Sequence, residues 1–473
     1  MEPITSKEMA VLDLNCEYYG LSRLQLMENA GMAVADEVLK LNPSSVAVFA
    51  GLGNNGGDSL VSARILTSYT DVEVYIMGNI KDIKTNIARK NFEVLKTSGA
   101  KIFEITHPSK LHSLDGADCV VDAMLGTGVR GELREPYSTA VDLINQCNAE
   151  VIAVDVPTGL NPDTGEFVKA VKADTTVTFH RPKPGLLKPE VKEIVGKLVI
   201  KNIGIPLAFE RLAGPGDVKL TFKRFADGHK GTHGRILVVG GGPYTGAPAL
   251  ASLAALKVGA DLSVLAVPKE IKNIVSSYSP ELIVRGFDDA GEIEHIHKCH
   301  SAVVGMGMEE KLAKKVVEVI SGFCRKLVLD ASALGAVDAV GDAEVILTPH
   351  RGELEKYFGL NKNAGIDEVK SLAKDLNATI LLKGREDLIT DGKKLKINRT
   401  GNAGMTVGGT GDVLAGVCGA FLSKSDPLSS AVTSAFVVGM AGDLCLEELG
   451  YCYTALDVVS KLPIAVKKSL EFS

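Results

Sequence analysis

Short apolar runs alternate with amphipathic stretches along most of this 473-residue chain. In the first half, the runs 45–50, 72–77, 118–122 and 150–155 predict strands, and the stretches 59–69 and 87–97 predict helices. The second half repeats the alternation, with predicted strands at 235–242, 303–304, 327–330, 345–347 and 379–383 and a predicted helix at 247–258. Strands that alternate with helices favour parallel, doubly wound sheets, so both halves are predicted to be α/β.

The length of the chain exceeds what one hydrophobic core usually supports, so we expect two domains. After the apolar run 197–200, glycines and prolines recur up to residue 216, as is typical of a connecting loop. We therefore place the boundary near residue 213, giving domains 1–213 and 214–473.

The composition is that of an ordinary globular protein, with 45% apolar and 23% charged residues and a net charge of −6. This balance gives no indication of a nucleic-acid or membrane partner. The first 15 residues carry charges where a secretory signal needs an apolar run, and no uninterrupted apolar stretch of 18 residues occurs. The eight cysteines are scattered without a Cys-x-x-Cys pair, which is typical of reduced thiols. We therefore expect a cytoplasmic location.

The segment 51–58, GLGNNGGD, lies between a predicted strand and a predicted helix. It satisfies the pattern G-x-G-x-x-G of dinucleotide-binding loops. A redox site of that type would also carry an acidic residue at the end of the next strand, and the run 72–77 ends without one. The alternatives are a simple tight turn and a helix for which Asp58 is the N-cap.

Two more predicted strands end in acidic residues. Asp122 leads into the glycine-rich segment 125–132, LGTGVRGE, and Asp155 leads into VPTG at 156–159. Because ligands bind at the carboxyl ends of strands in a doubly wound sheet, we expect Asp58, Asp122 and Asp155 to belong to one site.

These three segments together resemble the N-terminal domain of NAD(P)H-hydrate epimerases, over roughly residues 1–210; Ser59 replaces the glycine usual in that family. The resemblance implies a site that interconverts the R and S hydrates of NADH and NADPH (NADHX and NADPHX). It assigns the hydrate to Asn54, Asn55, Gly56, Gly57, Asp58, Gly126, Thr127, Gly128, Val129, Arg130, Gly131, Glu132 and Asp155. It assigns a potassium ion, which prefers hard oxygen donors, to Asn55, Asp122 and Thr158. Asp122 is our first candidate for the catalytic residue that moves a proton.

The segment 408–412, GGTGD, precedes a predicted helix start at 413–417. Its backbone N–H groups would point at an anion, with the helix dipole assisting and Asp412 at the edge of that anion. A glycine-rich turn that packs a helix closely is the alternative. The sequence contains no G-x-x-x-x-G-K-[ST] motif, which argues against a P-loop enzyme.

The GGTGD loop resembles the anion hole of the ribokinase-like fold. With the segments 229–231, 240–248, 348–354 and 402–412, residues 220–470 resemble ADP-dependent NAD(P)H-hydrate dehydratases; Met306 replaces a proline frequent in that family. The resemblance implies that Asp412 is a catalytic base and that magnesium accompanies ADP, with ATP as the other possible nucleotide. It assigns the S hydrate to Ala247, Gly307, His350 and Asp412, and the nucleotide to Lys383, Gly384, Arg385, Glu386, Asp387 and Gly411.

The two resemblances together predict a bifunctional enzyme. Its N-terminal Rossmann-like domain would epimerise the hydrates, and its C-terminal ribokinase-like domain would dehydrate the S form to NAD(P)H, releasing AMP and phosphate. The alternatives are a ribokinase-like small-molecule kinase with a dinucleotide-binding regulatory domain, and a non-catalytic dinucleotide-binding scaffold. We also expect the chain to form a homo-oligomer.

Overall fold

The computed structural model describes residues 2–126, 131–224, 227–295 and 298–472. The contacts of the chain divide it into two compact units, 1–206 and 207–473. The boundary was predicted a few residues later, near 213. Residues before that position already join the second unit, since the ammonium of Lys396 donates to the carbonyl of Leu212 at 3.2 Å.

Unit 1 (residues 1–206) is built on a seven-stranded sheet in which every pair of neighbours is parallel. Its strands are β1 (Ser45–Ala50), β2 (Asp71–Ile76), β3 (Lys101–Glu104), β4 (Cys119–Ala123), β5 (Glu150–Val154), β6 (Thr175–Phe179) and β7 (Lys197–Lys201). The strand order is β3-β2-β1-β4-β5-β6-β7. The direction of winding therefore reverses between β1 and β4, where the loops after these strands leave a crevice for ligands.

The helices of unit 1 are α1 (Ser6–Tyr18), α2 (Arg23–Leu39), α3 (Asn54–Leu66), α4 (Asn86–Leu95), α5 (Tyr137–Gln146) and α6 (Lys192–Val195). The apolar side of α5, with Ala140, Val141 and Ile144, packs with Phe49 and Val120 of the sheet. All five residues of β4 are buried, as expected for a parallel strand covered on both faces. The predicted α/β, doubly wound fold of this half is confirmed.

Unit 2 (residues 207–473) contains a nine-stranded sheet of order β10-β9-β8-β11-β12-β13-β14-β15-β16. Its strands are β8 (Arg235–Val239), β9 (Leu262–Pro268), β10 (Ile283–Phe287), β11 (Ser301–Val304), β12 (Lys326–Leu329), β13 (Glu344–Leu347), β14 (Thr379–Leu382), β15 (Asp387–Thr390) and β16 (Leu395–Asn398). The pairs are parallel up to β14, and the last two strands are antiparallel. The winding reverses between β8 and β11.

The helices of unit 2 are α7 (Pro215–Thr221), α8 (Gly246–Lys257), α9 (Lys272–Ser276), α10 (Glu310–Ser321), α11 (Arg351–Phe358), α12 (Ile366–Asp375), α13 (Thr410–Leu422), α14 (Pro427–Leu449) and α15 (Ala455–Glu471). Glycines let α13 pack unusually closely: a Cβ at Gly416 would lie 2.0 Å from the carbonyl oxygen of Ala251, and one at Gly419 2.2 Å from the side chain of Val303. Helix α13 is thereby fixed against both α8 and β11.

Helix α14 is long and apolar enough, by length and composition, to cross a membrane. Within the described residues, however, 72% of its most apolar window is buried inside the fold. Residues 430–439 of this helix are all buried, as is typical of the central helix of a hydrophobic core.

Candidate active sites

The loop after β1 ends earlier than the sequence predicts. Helix α3 begins at Asn54, with Gly53 as its N-cap, whereas we predicted a helix from residue 59. Asp58 therefore lies inside the helix, and its interpretation as an N-cap is wrong. Ser59 also lies inside the helix, where its hydroxyl donates to the carbonyl of Gly56 at 2.8 Å. Helix α3 starts at Asn54 because Gly53, in an extended conformation, acts as its N-cap.

Glycines bring the loops after β1 and β4 into direct contact. A Cβ at Gly51 would lie 1.8 Å from the carbonyl oxygen of Met124, and one at Gly56 would lie 1.9 Å from the carbonyl oxygen of Gly51. A Cβ at Gly57 would lie 2.5 Å from the Cε of Met27. The structure thus gives Gly56 and Gly57 a packing function at this contact.

A cavity of about 490 Å³ opens at this crevice of unit 1. Five of the predicted hydrate-binding residues line it: Asn54, Asn55, Asp58, Gly126 and Asp155. Four ionisable side chains that the sequence did not single out also line it: Asp13, Arg23, Lys84 and Lys183. Thr127, Gly128, Val129 and Arg130 lie outside the described residues, and Gly131 and Glu132 are not among the lining residues.

Asp155 is a strained and firmly held carboxylate. Its φ of 62° lies in the left-handed region, which costs a non-glycine residue free energy and is concentrated at functional sites. Its Oδ1 accepts hydrogen bonds from the Thr178 hydroxyl at 3.0 Å and the Phe179 N–H at 3.4 Å. It also accepts one from the ammonium of Lys183, a side chain that is 1% exposed. This ion pair places a fixed negative charge at the cavity wall.

Asp13 on α1 and Asp58 on α3 are the other carboxyls of the cavity. Burial, opposed by the ammonium of Lys183 and assisted by the charge of Asp155, raises the pKa of Asp13 to about 7. Burial, assisted by Asp155 and Asp13, raises the pKa of Asp58 well above its usual range. Both carboxyls are therefore good candidates for carrying a proton near neutral pH.

Asp122 lies behind this cavity and is completely buried. It accepts hydrogen bonds from the N–H and hydroxyl of Thr158, at 2.7 and 2.6 Å, and from the N–H of Met124 at 3.3 Å. Burial raises its pKa to about 6, although these hydrogen bonds act in the opposite direction. Asp122 thus ties the end of β4 to the loop after β5, and this placement favours a structural or cation-holding role over proton transfer.

The oxygens near Asp122 suit a hard monovalent cation. The buried Nδ2 of Asn55 has no hydrogen-bond partner, and an amide group turned over would present its oxygen there instead. The carboxylate of Asp122 and the hydroxyl of Thr158 are oxygen donors of the kind that potassium prefers. In the described parts of the chain, no group of three or more His, Cys, Asp or Glu side chains is arranged to hold a metal ion. The donor set therefore fits potassium rather than a transition metal.

The second glycine loop forms the N-terminus of α13. Gly409, at φ 99°, is its N-cap, and the hydroxyl of Thr410 fixes the turn by donating to the carbonyl of Met405 at 2.8 Å. The first N–H groups of α13 lack carbonyl partners within the helix, so they are available to an anion. Asp412 lies in this first turn, beside the anion position, as predicted.

Lys383, directly after β14, interacts electrostatically with Asp412 and with two further carboxylates. Its ammonium lies 3.0 Å from Asp330 Oδ1 and 3.7 Å from Glu353 Oε2. A Cβ at Gly411 would lie 3.6 Å from the same nitrogen. Burial lowers the pKa of Lys383, but the carboxylates of Asp330, Glu353 and Asp412 outweigh it and the net shift is upward. The lysine is therefore a permanent cation next to the loop.

Asp412 is poised to exchange a proton near neutral pH. Burial and the negative charge of Asp330 raise its pKa to about 7, and Lys383 opposes them. Asp330 is held by the hydroxyl of Thr348 at 2.7 Å and by Lys383. A carboxylate of this kind, beside the free N–H groups of a helix, is suited to taking a proton from a hydroxyl while a phosphate is bound.

His350 caps α11. Its Nδ1 accepts from the N–H groups of Gly352 and Glu353 at 3.0 and 3.1 Å, and its Nε2, on an exposed ring, lies 3.6 Å from Glu353 Oε2. Gly307 takes φ 70° where a Cβ would lie 2.4 Å from the carbonyl of Tyr244. Ala247 is at the start of α8, three residues after that tyrosine. Gly307 therefore lies against the segment that leads into α8.

The predicted nucleotide residues 383–387 form a turn between β14 and β15. The N–H of Gly384 donates to Asp387 Oδ1 at 3.0 Å, and Asn398 donates to Asp387 Oδ2 at 3.0 Å. The side chains of Arg385 and Glu386 are exposed. Asp387 therefore shapes the turn, and its own carboxylate is engaged by the protein.

Sequence reasoning missed six charged residues at these sites: Asp13, Arg23, Lys84, Lys183, Asp330 and Glu353. Asp330 carried a usable signal, since it directly follows an apolar strand, as Asp122 and Asp155 do. Glu353 lies in the segment 348–354 that carried the resemblance. Asp13 and Lys183 are far from every glycine-rich segment, so their approach to the site depends on the fold.

Comparisons with known proteins agree with this division into two sites. Residues 23–185 match the model of the YjeF-related protein N-terminus, and residues 236–464 match that of NAD(P)H-hydrate dehydratase. A crystal structure of ADP/ATP-dependent NAD(P)H-hydrate dehydratase from Bacillus subtilis, co-crystallised with ATP and Mg²⁺, superposes with a TM-score of 0.50 at 26% identity. It covers 53% of this chain and 96% of the other.

Two curated relatives span both units. The bifunctional NAD(P)H-hydrate repair enzyme of Archaeoglobus fulgidus is 53% identical over 100% of both chains. The protein of the same name from Pyrobaculum aerophilum is 43% identical over 99% of both chains. This chain therefore belongs to the family of bifunctional NAD(P)H-hydrate repair enzymes.

Proposed function

We propose that this protein repairs hydrated NADH and NADPH. Unit 1 epimerises the R and S hydrates, and unit 2 dehydrates the S form to NAD(P)H with ADP, releasing AMP and phosphate. The observation that carries the proposal is the similarity at 53% identity, over the whole length of both chains, to a bifunctional repair enzyme. The carboxylate-lined cavity of unit 1 and the Asp412 loop of unit 2 supply a separate site for each reaction.

Dehydration is difficult because hydroxide is a poor leaving group. Transfer of the terminal phosphoryl group of the nucleotide to the ring hydroxyl converts that oxygen into part of a good leaving group. Asp412 takes the hydroxyl proton, and the free N–H groups of α13 stabilise the charge on the transferring phosphoryl group. The ring nitrogen lone pair then expels phosphate as a C=N bond forms, and loss of a proton from the neighbouring ring carbon restores the C=C bond of NAD(P)H. Ala247, Gly307 and His350 hold the S hydrate in this scheme.

Lys383 supports the nucleotide assignment, because it is a buried cation beside the helix N-terminus where phosphates would lie. The backbone of the turn 384–387 and Gly411 would hold the rest of the nucleotide. ADP is our proposed co-substrate, with ATP as the alternative that the Bacillus subtilis crystal supports for that protein. Magnesium would bind chiefly through the phosphates, with one or two carboxylates such as Asp330 as protein ligands.

In unit 1 the proposed potassium ion is held by Asn55, Asp122 and Thr158. It would supply a positive charge that attracts the phosphate or ribose oxygens of the hydrate. Asn54, Asn55, Asp58, Gly126 and Asp155 support substrate binding because they line one cavity. The assignment of the hydrate to Gly131, Glu132 and the segment 127–130 also stays part of the proposal.

We also propose a cytoplasmic location and a homo-oligomeric assembly. All eight cysteines are free thiols in the structure, as expected in a reducing compartment. Size-exclusion chromatography with light scattering tests the assembly, and a single-chain mass would contradict it.

The function is tested by incubating purified protein with a mixture of the two hydrate epimers, Mg²⁺ and either ADP or ATP. Restored absorbance of reduced nicotinamide, stoichiometric with AMP or ADP, supports the proposal. Absence of restored NADH with both nucleotides contradicts it. Phosphorylation of another small molecule without any restored NADH would favour the ribokinase-like kinase instead.

A further inference from the structure

Three carboxyls of the unit 1 cavity differ in how much of their hydrogen-bonding capacity the protein uses. Asp155 Oδ1 already accepts from Lys183, Thr178 and Phe179. The carboxyls of Asp13 and Asp58 accept no hydrogen bond from the described part of the chain, and both residues are half-buried in the wall of the cavity. Their hydrogen-bonding capacity is therefore available to a molecule bound in the cavity.

Asp13 projects from α1, an element that carries no part of the family segments recognised in the sequence. It lines the cavity together with Asn54 and Asn55 of the first glycine loop. Its electrostatic coupling to Asp155 and Lys183 indicates that it lies near the ion pair. A molecule bound in the cavity would therefore meet two carboxyl groups, that of Asp13, which accepts no hydrogen bond from the described residues, and that of Asp155, which is paired with Lys183.

Resting on the proposed function of unit 1, we propose that Asp13 is the catalytic acid of epimerisation and that Asp155, held by Lys183, is its complementary base. Asp13 donates its proton to the hydroxyl on the ring carbon next to the ring nitrogen. The C–O bond breaks, water departs, and the nitrogen lone pair forms a planar C=N bond. Water then adds to the other face of that carbon, and Asp155 takes the proton that this water loses.

Protons and water molecules are conserved in this reaction. One water leaves and one water adds, and one proton passes from Asp13 to Asp155; exchange with solvent restores both groups before the next turnover. The reverse reaction uses the two carboxyls with their roles exchanged. No redox partner is required, because the oxidation state of the ring does not change.

Asp58 is a weaker candidate for the acid. Burial, assisted by the charges of Asp155 and Asp13, raises its pKa well above the usual range, so it gives up its proton less readily than an ordinary carboxyl. The pKa of Asp13, raised by burial to about 7, allows it both to give and to regain a proton. Asp122 lacks the access, since its two oxygens already accept from Thr158 and Met124.

The test uses full-length protein, the isolated R epimer, ADP and Mg²⁺, with the rate without protein subtracted. We expect Asp13→Asn to slow R repair by about 10²- to 10⁴-fold. Repair of the S epimer by the same variant should be unchanged, which shows that unit 2 is intact. Asp36→Asn, the same chemical change at an exposed position of α2, is the matched control and should retain full R repair.

Epimerisation at the wild-type rate by Asp13→Asn would overturn the proposal. If Asp13→Asn does not fold, the wild-type pH profile decides: R-to-S exchange should decline above about pH 7, and a flat profile would overturn it. Either result would contradict only the role of Asp13. The proposed function itself would be contradicted if wild-type protein restored NADH from neither epimer.

Discussion

The two units have similar sets of charged residues, although we propose that one uses its aspartate as an acid and the other uses its aspartate as a base. Each has an aspartate whose pKa is raised by burial to about 7, and each has a lysine paired with a carboxylate nearby. In unit 2, Asp412 lies in the glycine loop itself, where anion and base must be adjacent. In unit 1, Asp13 comes from a helix distant in sequence and faces the glycine loop across a cavity. Burial therefore raises the pKa of both aspartates. In our proposal, the position of each aspartate decides whether it serves as acid or as base.

The largest expected difference between the units comes from Asp412→Asn. The asparagine cannot accept the hydroxyl proton, so dehydration of the S hydrate should fall by about 10²- to 10⁴-fold. Interconversion of the epimers, followed by chromatography, should be unaffected. Parallel loss of both activities would contradict separate sites.

Replacing Lys183 and Lys383 by methionine, one at a time, compares how strongly the stability of each unit depends on its buried ammonium group. Lys183 is 1% exposed and Lys383 is 20% exposed. Lys183→Met leaves Asp155 unpaired and should reduce the free energy of unfolding of unit 1 by roughly 3–5 kcal/mol. Lys383→Met should cost less, because the Lys383 side chain is more exposed to water and Asp330 keeps its hydrogen bond from the Thr348 hydroxyl. Denaturant unfolding monitored separately for each unit measures both, and equal losses would contradict this ranking.

Two glycines of the first loop offer a smaller, steric comparison. A Cβ at Gly56 would lie 1.9 Å from the carbonyl oxygen of Gly51, whereas one at Gly53 meets nothing within 4 Å. Gly56→Ala should therefore destabilise unit 1 by about 1–3 kcal/mol. Gly53→Ala should shift the thermal midpoint little, and a loss equal to that of Gly56→Ala would show that the loop is not held by this contact.

The pH dependence of the two activities should differ in sign. Asp412 must be ionised to act, so dehydration should rise with pH up to about 7 and then level off. Asp13 must be protonated to act, so epimerisation should fall above about pH 7. The slope is at most tenfold per pH unit on each limb. Initial rates measured with each epimer separately check this, and parallel profiles would contradict the assignment of acid and base.

The sequence predicts the fold and the glycine loops well, because both depend on local patterns. The alternation of apolar runs predicted parallel α/β sheets in both halves, and the loops 51–58 and 408–412 lie at strand ends or helix starts as expected. Helix α3 begins five residues before its predicted start. The prediction missed this first turn because it contains asparagines and glycines, which usually indicate a loop.

Some elements and site residues were not predictable from local patterns. The strands β6, β15 and β16 contain polar residues such as Thr175, Asp387 and Lys396, so their apolar signal is weak. Asp13 and Lys183 are 170 positions apart in the sequence, and they line the same cavity only in the folded chain. Their role depends on burial and on each other's charge, which no spacing in the sequence reports.

The most direct test of the account begins with the pure R epimer of hydrated NADH, ADP and Mg²⁺. Wild-type protein should restore NADH quantitatively, and Asp412→Asn should instead produce the S epimer while NADH stays absent. This accumulation would show that unit 1 supplies the substrate of unit 2. If Asp412→Asn left the R epimer unchanged while wild-type protein restored NADH, the division of work between the two units would be wrong.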